Sequence, residues 1–197
     1  MKEFISLLIS FIFISIADSI DLAFNNAISI DAIVVCGSLI FVDLILKSVS
    51  DIGIFTYRTV RKDESAYLII NVIFSFILGI IVFFSRNIIV SLFDLTIIQK
   101  ELLSNILSIY IVYLTIGRLS DAIFEMIRLR NDLKLYRKSL VLYYVTLIGF
   151  DLIVFILTKN LILLFVATIM SWIISISYML YKLKLKFILP NKDVLRE

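Results

Sequence analysis

The 197-residue chain has a formal net charge of +3, a mean hydropathy of +1.08 and 61% apolar residues, which excludes a water-soluble globular domain. One proline and five glycines leave little sequence for long loops, so we predict an integral membrane protein. The absence of histidine and the single cysteine, Cys36, exclude disulfide frameworks and Cys/His zinc sites, and we expect neither an enzyme nor a bound metal or cofactor.

Six apolar segments of membrane-spanning length follow one another along the chain, separated by short polar stretches. They cover residues 4–24, 29–57, 66–84, 102–126, 140–157 and 161–181. The first segment does not resemble a secretory signal, because it lacks a small-residue cleavage site and contains Asp18 and Asp21. We therefore predict an all-α bundle of six transmembrane helices over residues 1–186 and a short cytoplasmic tail over residues 187–197.

Lysine and arginine flank these segments unevenly, and such residues mark the cytoplasmic side of a membrane protein. One side carries Arg58, Arg61, Lys62, Arg128, Arg130, Lys134, Arg137, Lys138, Lys182, Lys184 and Lys186. The opposite side carries Arg86, Lys100 and Lys159. The sequence predicts a multi-pass protein of the plasma membrane with both termini in the cytoplasm. Since the basic turns are explained by this topology, we expect contact with the lipid bilayer and no nucleic-acid partner.

Charged residues inside the apolar segments are informative, because an ionised side chain at mid-bilayer costs roughly 3 kcal/mol and needs a partner or water. The second and fourth segments each carry three at helical spacing: Asp43, Lys47 and Asp51, and Arg118, Asp121 and Glu125. Lys47 can neutralise the two acids of its own stripe. The plainest interpretation of both stripes is a network of salt bridges that joins the two segments.

Three further acids have no basic residue within their own segments, which makes a structural salt bridge harder to form. These are Asp18, Asp21 and Asp151. We interpret them as candidate groups for binding a cation or a proton. Cys36, beside Gly37, is most simply a small residue at a helix contact.

Aromatic residues in the fourth and fifth segments allow two interpretations. The residues concerned are Tyr110, Tyr113, Tyr143 and Tyr144. Their rings either line a pocket for an organic cation, which is attracted to the face of an aromatic ring, or belong to the aromatic belt at a membrane interface.

Three stretches resemble the multidrug and toxic compound extrusion (MATE) transporters. The stretch "FISIADSIDLAFNNAISIDAIVVCG" resembles the passage between that family's first two helices, and "SVSDIGIFTYRTVRKDESAY" is similar to the exit from its second helix. The stretch "AIFEMIRLRNDLKLYRKSLVLYYVTLIGFDLIVFI" resembles the region of its helices 4 and 5. In this comparison Asp18 and Asp151 fall on aspartates of the family's helices 1 and 5.

The resemblance covers roughly residues 10–160 and implies one amino-terminal, six-helix lobe, whereas family members have two lobes. It departs from the family at Asn25 and Asn26, which replace glycines, and in the first segment, where a proline bend has no counterpart because Pro190 is the only proline.

The resemblance implies export or flipping of a cationic or amphipathic small molecule by Na⁺ or H⁺ antiport. A homodimer or a second half-transporter chain would supply the other lobe. Two alternatives stay open: a non-transporting membrane subunit, such as an immunity or assembly partner of a peptide-export system, and an inactive lobe fragment.

Overall fold

The computed structural model describes residues 27–60 and 64–184, together with residues 15, 19, 20 and 23. For residues 47, 50–60 and 64–66 it describes the backbone alone. This part of the chain is all-α, with five helices: α1 (Ile30–Val60), α2 (Glu64–Ser91), α3 (Ile97–Leu129), α4 (Leu133–Leu157) and α5 (Leu161–Leu183). Most of the first predicted segment, including Asp18 and Asp21, and the tail from residue 185 lie outside the described residues.

Four of the described helices are long and apolar enough to cross a membrane. These spans are Tyr67–Ser91, Ile97–Leu129, Leu133–Leu157 and Leu161–Leu183. Large apolar side chains such as Phe84, Ile156 and Met170 are exposed on their outer surfaces. Water would disfavour so much exposed apolar surface, whereas lipid tails accept it. The prediction of an all-α, multi-pass membrane protein is confirmed at this level.

Several helices continue beyond the predicted ends of their segments. Helix α2 runs on to Ser91, and Arg86 lies within it, donating a hydrogen bond to the Ser108 hydroxyl at 3.0 Å and lying 4.8 Å from the centre of the Phe83 ring. Helix α3 has 33 residues, or about 50 Å at 1.5 Å per residue, which exceeds the hydrocarbon thickness of about 30 Å. The charged residues therefore do not mark the ends of the helices.

Helix α3 is the central element and packs against each of the other four helices. Helix α1 runs parallel to it, since two contacts join them in the same order: the Gln99 amide donates to the Asp31 carboxylate at 2.7 Å, and the Tyr110 hydroxyl donates to Asp43 at 2.9 Å. A capping box of Thr96 and Gln99 begins α3, so the same glutamine both caps α3 and holds the start of α1. This arrangement fixes Asp43 opposite the middle of α3.

The remaining helices are antiparallel to their neighbours in the chain. Helix α2 approaches α3 most closely at Gly79, where a Cβ atom would lie 2.7 Å from the Ile111 Cα atom. Helices α4 and α5 are joined by a hydrogen bond from the Ser175 hydroxyl to the Ser139 carbonyl at 3.2 Å. Because the helices alternate in direction along the chain, α1 and α5 both run parallel to the central helix α3.

Candidate functional site

A cavity of about 400 Å³ lies between α1, α3, α4 and α5. Its lining consists of one carboxylate, several aromatic rings, aliphatic side chains, one hydroxyl from threonine and the thiol of the chain's single cysteine. The lining residues are Cys36, Leu39, Ile40, Asp43, Leu44, Tyr110, Tyr113, Tyr143, Leu147, Leu164, Phe165, Thr168 and Trp172. The volume falls within the range of pockets that hold small organic ligands.

Asp43 is the only charged side chain among the described residues that line this cavity. Its carboxylate accepts a hydrogen bond from Tyr110, whose side chain is only 1% exposed. Asp43 follows Asp31 by twelve residues, which places it about 18 Å further along the α1 axis. Asp43 thus lies at the middle of the segment, residues 29–57, that the sequence predicts to span the membrane.

Aromatic rings form a continuous wall around the cavity. The Tyr113 ring lies 5.3 Å from the rings of Tyr110 and Phe165 and 4.9 Å from that of Trp172, measured between centroids. The Trp172 ring stacks on that of Tyr143 at 6.4 Å, with an angle of 8° between their planes. Aromatic faces carry partial negative charge and attract cations within about 6 Å.

The helical spacing of the sequence explains how this wall forms. Tyr110, Tyr113 and Gly117 lie at positions i, i+3 and i+7 of α3 and therefore share one face. Phe165 and Trp172 lie two turns apart on α5 and share a face in the same way. A Cβ atom at Gly117 would lie 2.8 Å from the Trp172 ring, so glycine is what allows this ring to lie directly against α3.

Asp151, predicted as a cation-binding residue, is 0% exposed and lies on the inward face of α4. It follows Tyr143 and Leu147 at intervals of four residues, and both of those residues line the cavity. Asp151 therefore lies on the same face of α4 as Tyr143 and Leu147, one helical turn beyond the described residues that line the cavity.

The predicted stripe of α3 does not form a single buried face. Arg118 is buried, at 9% exposure, whereas Asp121 is exposed because three residues of helix turn it 60° away. Glu125 is half-buried and accepts a hydrogen bond from the Arg128 guanidinium at 2.7 Å. Glu125 and Arg128 therefore form a salt bridge within α3 itself.

The other predicted residues fall into two groups. The tyrosine pocket is present, but Tyr144 is not among its described lining residues, and its ring packs edge-on to that of Tyr143 at 4.8 Å. Of the two tyrosines, Tyr143 is the one that lines the cavity. Lys47 and Asp51 lie in α1, but their side chains are outside the described part, and their salt bridges with Asp43 stay a prediction.

The contribution of α5 to the site was missed. Phe165, Thr168 and Trp172 line the cavity from a segment in which no candidate site residue was predicted. The one available signal was that Trp172 is the only tryptophan of the chain and lies in mid-segment rather than at an interface, where tryptophan is usually found.

The described lining offers one carboxylate, that of Asp43, among aromatic rings. A carboxylate in an aromatic surround complements an organic cation in both charge and shape. Among the described residues, no group of three or more histidine, cysteine, aspartate or glutamate side chains is placed to hold a metal ion. Comparisons of the chain with protein-family models, curated proteins and solved structures gave no match.

Proposed function

We propose that the chain forms a six-helix, MATE-like lobe in the plasma membrane that exports or flips a cationic or amphipathic small molecule. One observation carries this proposal: the cavity of about 400 Å³ in which Asp43 lies among the rings of Tyr113, Tyr143 and Trp172. A charged residue is costly in a predicted membrane-spanning segment, and a role in binding a cation accounts for the presence of Asp43.

The lining favours an organic cation over a small inorganic ion. A sodium ion would lose most of its water in this cavity and would find a single carboxylate, Asp43, together with neutral hydroxyl groups. An alkylated or arylated cation is weakly hydrated, and each aromatic face that it contacts contributes about 0.5–2 kcal/mol. The apolar side chains Leu39, Leu147 and Leu164 then cover the rest of such a ligand.

Coupling to Na⁺ or H⁺ is assigned to Asp18, Asp21 and Asp151, and Asp151 offers the most direct test. Asparagine preserves the volume of Asp151 but cannot change its charge, so Asp151→Asn should fold normally and bind the organic cation. It should exchange labelled for unlabelled tetraphenylphosphonium in proteoliposomes, yet lose uptake driven by a Na⁺ or H⁺ gradient. The exposed Asp121 supplies the matched control, Asp121→Asn, which should retain both activities. Gradient-driven uptake at the wild-type rate in Asp151→Asn would remove Asp151 from the coupling mechanism.

The proposed orientation places both termini in the cytoplasm. Asp94 and Lys134 are exposed and lie at opposite ends of α3, so they report the two sides of the membrane. In a Cys36→Ser background, a cysteine introduced at Asp94 should react with an impermeant maleimide in intact cells, and one introduced at Lys134 should react only after the cells are opened. The reverse result would invert the topology.

A second lobe is proposed to come from a second copy of the chain, or from another half-length chain, in the same orientation. Two lobes related by an axis along the membrane normal can enclose a common pathway between them. The mass of the protein released from native membranes in mild detergent, after cross-linking, should be that of a dimer. A mass corresponding to one chain alone would exclude alternating access between two lobes.

A further inference from the structure

The cavity has one exposed wall, which is formed by α1. Leu39 lines the cavity and is only 4% exposed, but Ile40 and Leu44 line it while being 57% and 58% exposed. These two side chains lie one turn apart and border Asp43. The cavity therefore reaches the outer surface of the described structure beside the carboxylate, along an edge made of aliphatic side chains.

The packing of the helices explains this opening. The described part of α1 packs mainly against α2 and α3, whereas α4 packs mainly against α5 on the far side of the cavity. Tyr143 and Leu147 of α4 thus stand across the cavity from Ile40 and Leu44 of α1. The sequence predicts that residues 29–57 span the membrane, and Asp43 lies about 18 Å along α1 from Asp31, so we expect the surface at this level to meet hydrocarbon rather than water.

We infer that the cavity opens sideways into the bilayer and takes cationic amphiphiles with a long alkyl chain. The charged head reaches Asp43 and the aromatic rings, while the chain leaves past Ile40 and Leu44 into the lipid. An opening of this kind lets a ligand larger than 400 Å³ bind, because only its head has to fit inside. Asp43 is complementary in charge to the head of such a molecule, and the apolar edge beside Asp43 accepts its alkyl chain. The inference rests on the proposed cation-binding function and narrows its substrate class.

The experiment compares two radiolabelled quaternary ammonium ions that share a trimethylammonium head, decyltrimethylammonium and tetramethylammonium. Binding is measured on the full chain in lipid nanodiscs, below the concentration at which micelles form, and binding to empty nanodiscs is subtracted. Leu44→Phe narrows the opening, and Ile45→Phe adds the same bulk at the next residue, which is equally lipid-exposed but does not line the cavity. Neither variant introduces a polar group, so both remain compatible with the membrane.

Wild-type protein should bind decyltrimethylammonium at least about tenfold more tightly than tetramethylammonium, when both dissociation constants are expressed as concentrations in water. The reason is that the bilayer concentrates the amphiphile beside the opening. Leu44→Phe should weaken decyltrimethylammonium binding about fivefold or more, as overpacking commonly does, and tetramethylammonium binding less than about twofold. Ile45→Phe should leave both unchanged.

Three results would overturn the inference. Binding of tetramethylammonium without decyltrimethylammonium would show that the cavity is closed to a chain. An equal loss of both ligands in Leu44→Phe, or an equal effect of Leu44→Phe and Ile45→Phe, would show that the chain does not leave past Leu44. In these cases the cation site itself would stand, whereas binding of neither ion would remove the proposed function as well.

Discussion

Asp43→Asn should weaken binding of a monovalent organic cation roughly 30-fold, which corresponds to about 2 kcal/mol. Asparagine has the volume of aspartate and keeps an oxygen that can accept the hydrogen bond from the Tyr110 hydroxyl. In the wild-type protein this hydroxyl lies 2.9 Å from the Asp43 carboxylate. The substitution therefore removes the negative charge while preserving the contact between α1 and α3. Loss of the counter-charge is costly for the ligand because Asp43 is the only acidic residue among the described residues that line the cavity.

The measurement is equilibrium binding of radiolabelled tetraphenylphosphonium to protein in nanodiscs, with elution from a sizing column as the check on folding. Asp121→Asn makes the same change of charge on the exposed side of α3 and should bind the ligand like the wild type. Wild-type affinity in Asp43→Asn, with normal folding, would show that Asp43 is not the counter-charge. A misfolded Asp43→Asn protein would instead assign Asp43 a structural role.

Gly79→Leu should destabilise the bundle by about 2 kcal/mol, within the range that overpacking commonly produces. A Cβ atom at this position would lie 2.7 Å from the Ile111 Cα atom, and backbone cannot move aside as a side chain can. Helices α2 and α3 would have to separate, which loosens packing around the helix on which Tyr110 and Tyr113 stand. Close approach through glycine is a common basis of helix association in membranes.

Thermal stability in detergent, read from the remaining monodisperse fraction after heating, measures this loss. Gly149→Leu is the matched control, since a Cβ atom there meets nothing within 4 Å and leucine is the better helix former. We expect Gly149→Leu to be as stable as the wild type or more so. Equal stability of the two variants would mean that α2 and α3 are not held together at Gly79.

Hydropathy predicted the four apolar helices that the described structure shows to be long enough to cross a membrane, because burial in lipid imposes one strong requirement on composition. It did not predict where they end. Arg86 and the basic residues after Arg130 were taken as breaks, although a charged side chain is compatible with helical backbone once it reaches the headgroups. Caps were the better guide: Thr96 with Gln99 begins α3, and Asp132 caps α4 by accepting from the Leu135 amide.

Part of the cavity lining could also be predicted from the sequence. The rarity of charge in apolar segments drew attention to Asp43, but as part of a salt-bridge network with Lys47 and not as a cation-binding residue. A pocket was one of two interpretations for Tyr110 and Tyr113. The part formed by Phe165 and Trp172 depends on which face α5 turns toward α3. Phe165 and Trp172 are apolar like most of the residues around them in α5, so hydropathy does not single them out.

The proposed binding of a cation in the cavity is tested most directly by the emission of Trp172, because this residue is the chain's only tryptophan and its ring forms part of the cavity wall. The protein in nanodiscs is titrated with tetraphenylphosphonium while Trp172 emission is recorded. A ligand held against the rings of Tyr113, Tyr143 and Trp172 should produce a saturable change in emission, shifted to higher concentration in Asp43→Asn. An emission that does not change, or that changes linearly and identically in both proteins, would contradict the assignment of this cavity as the binding site.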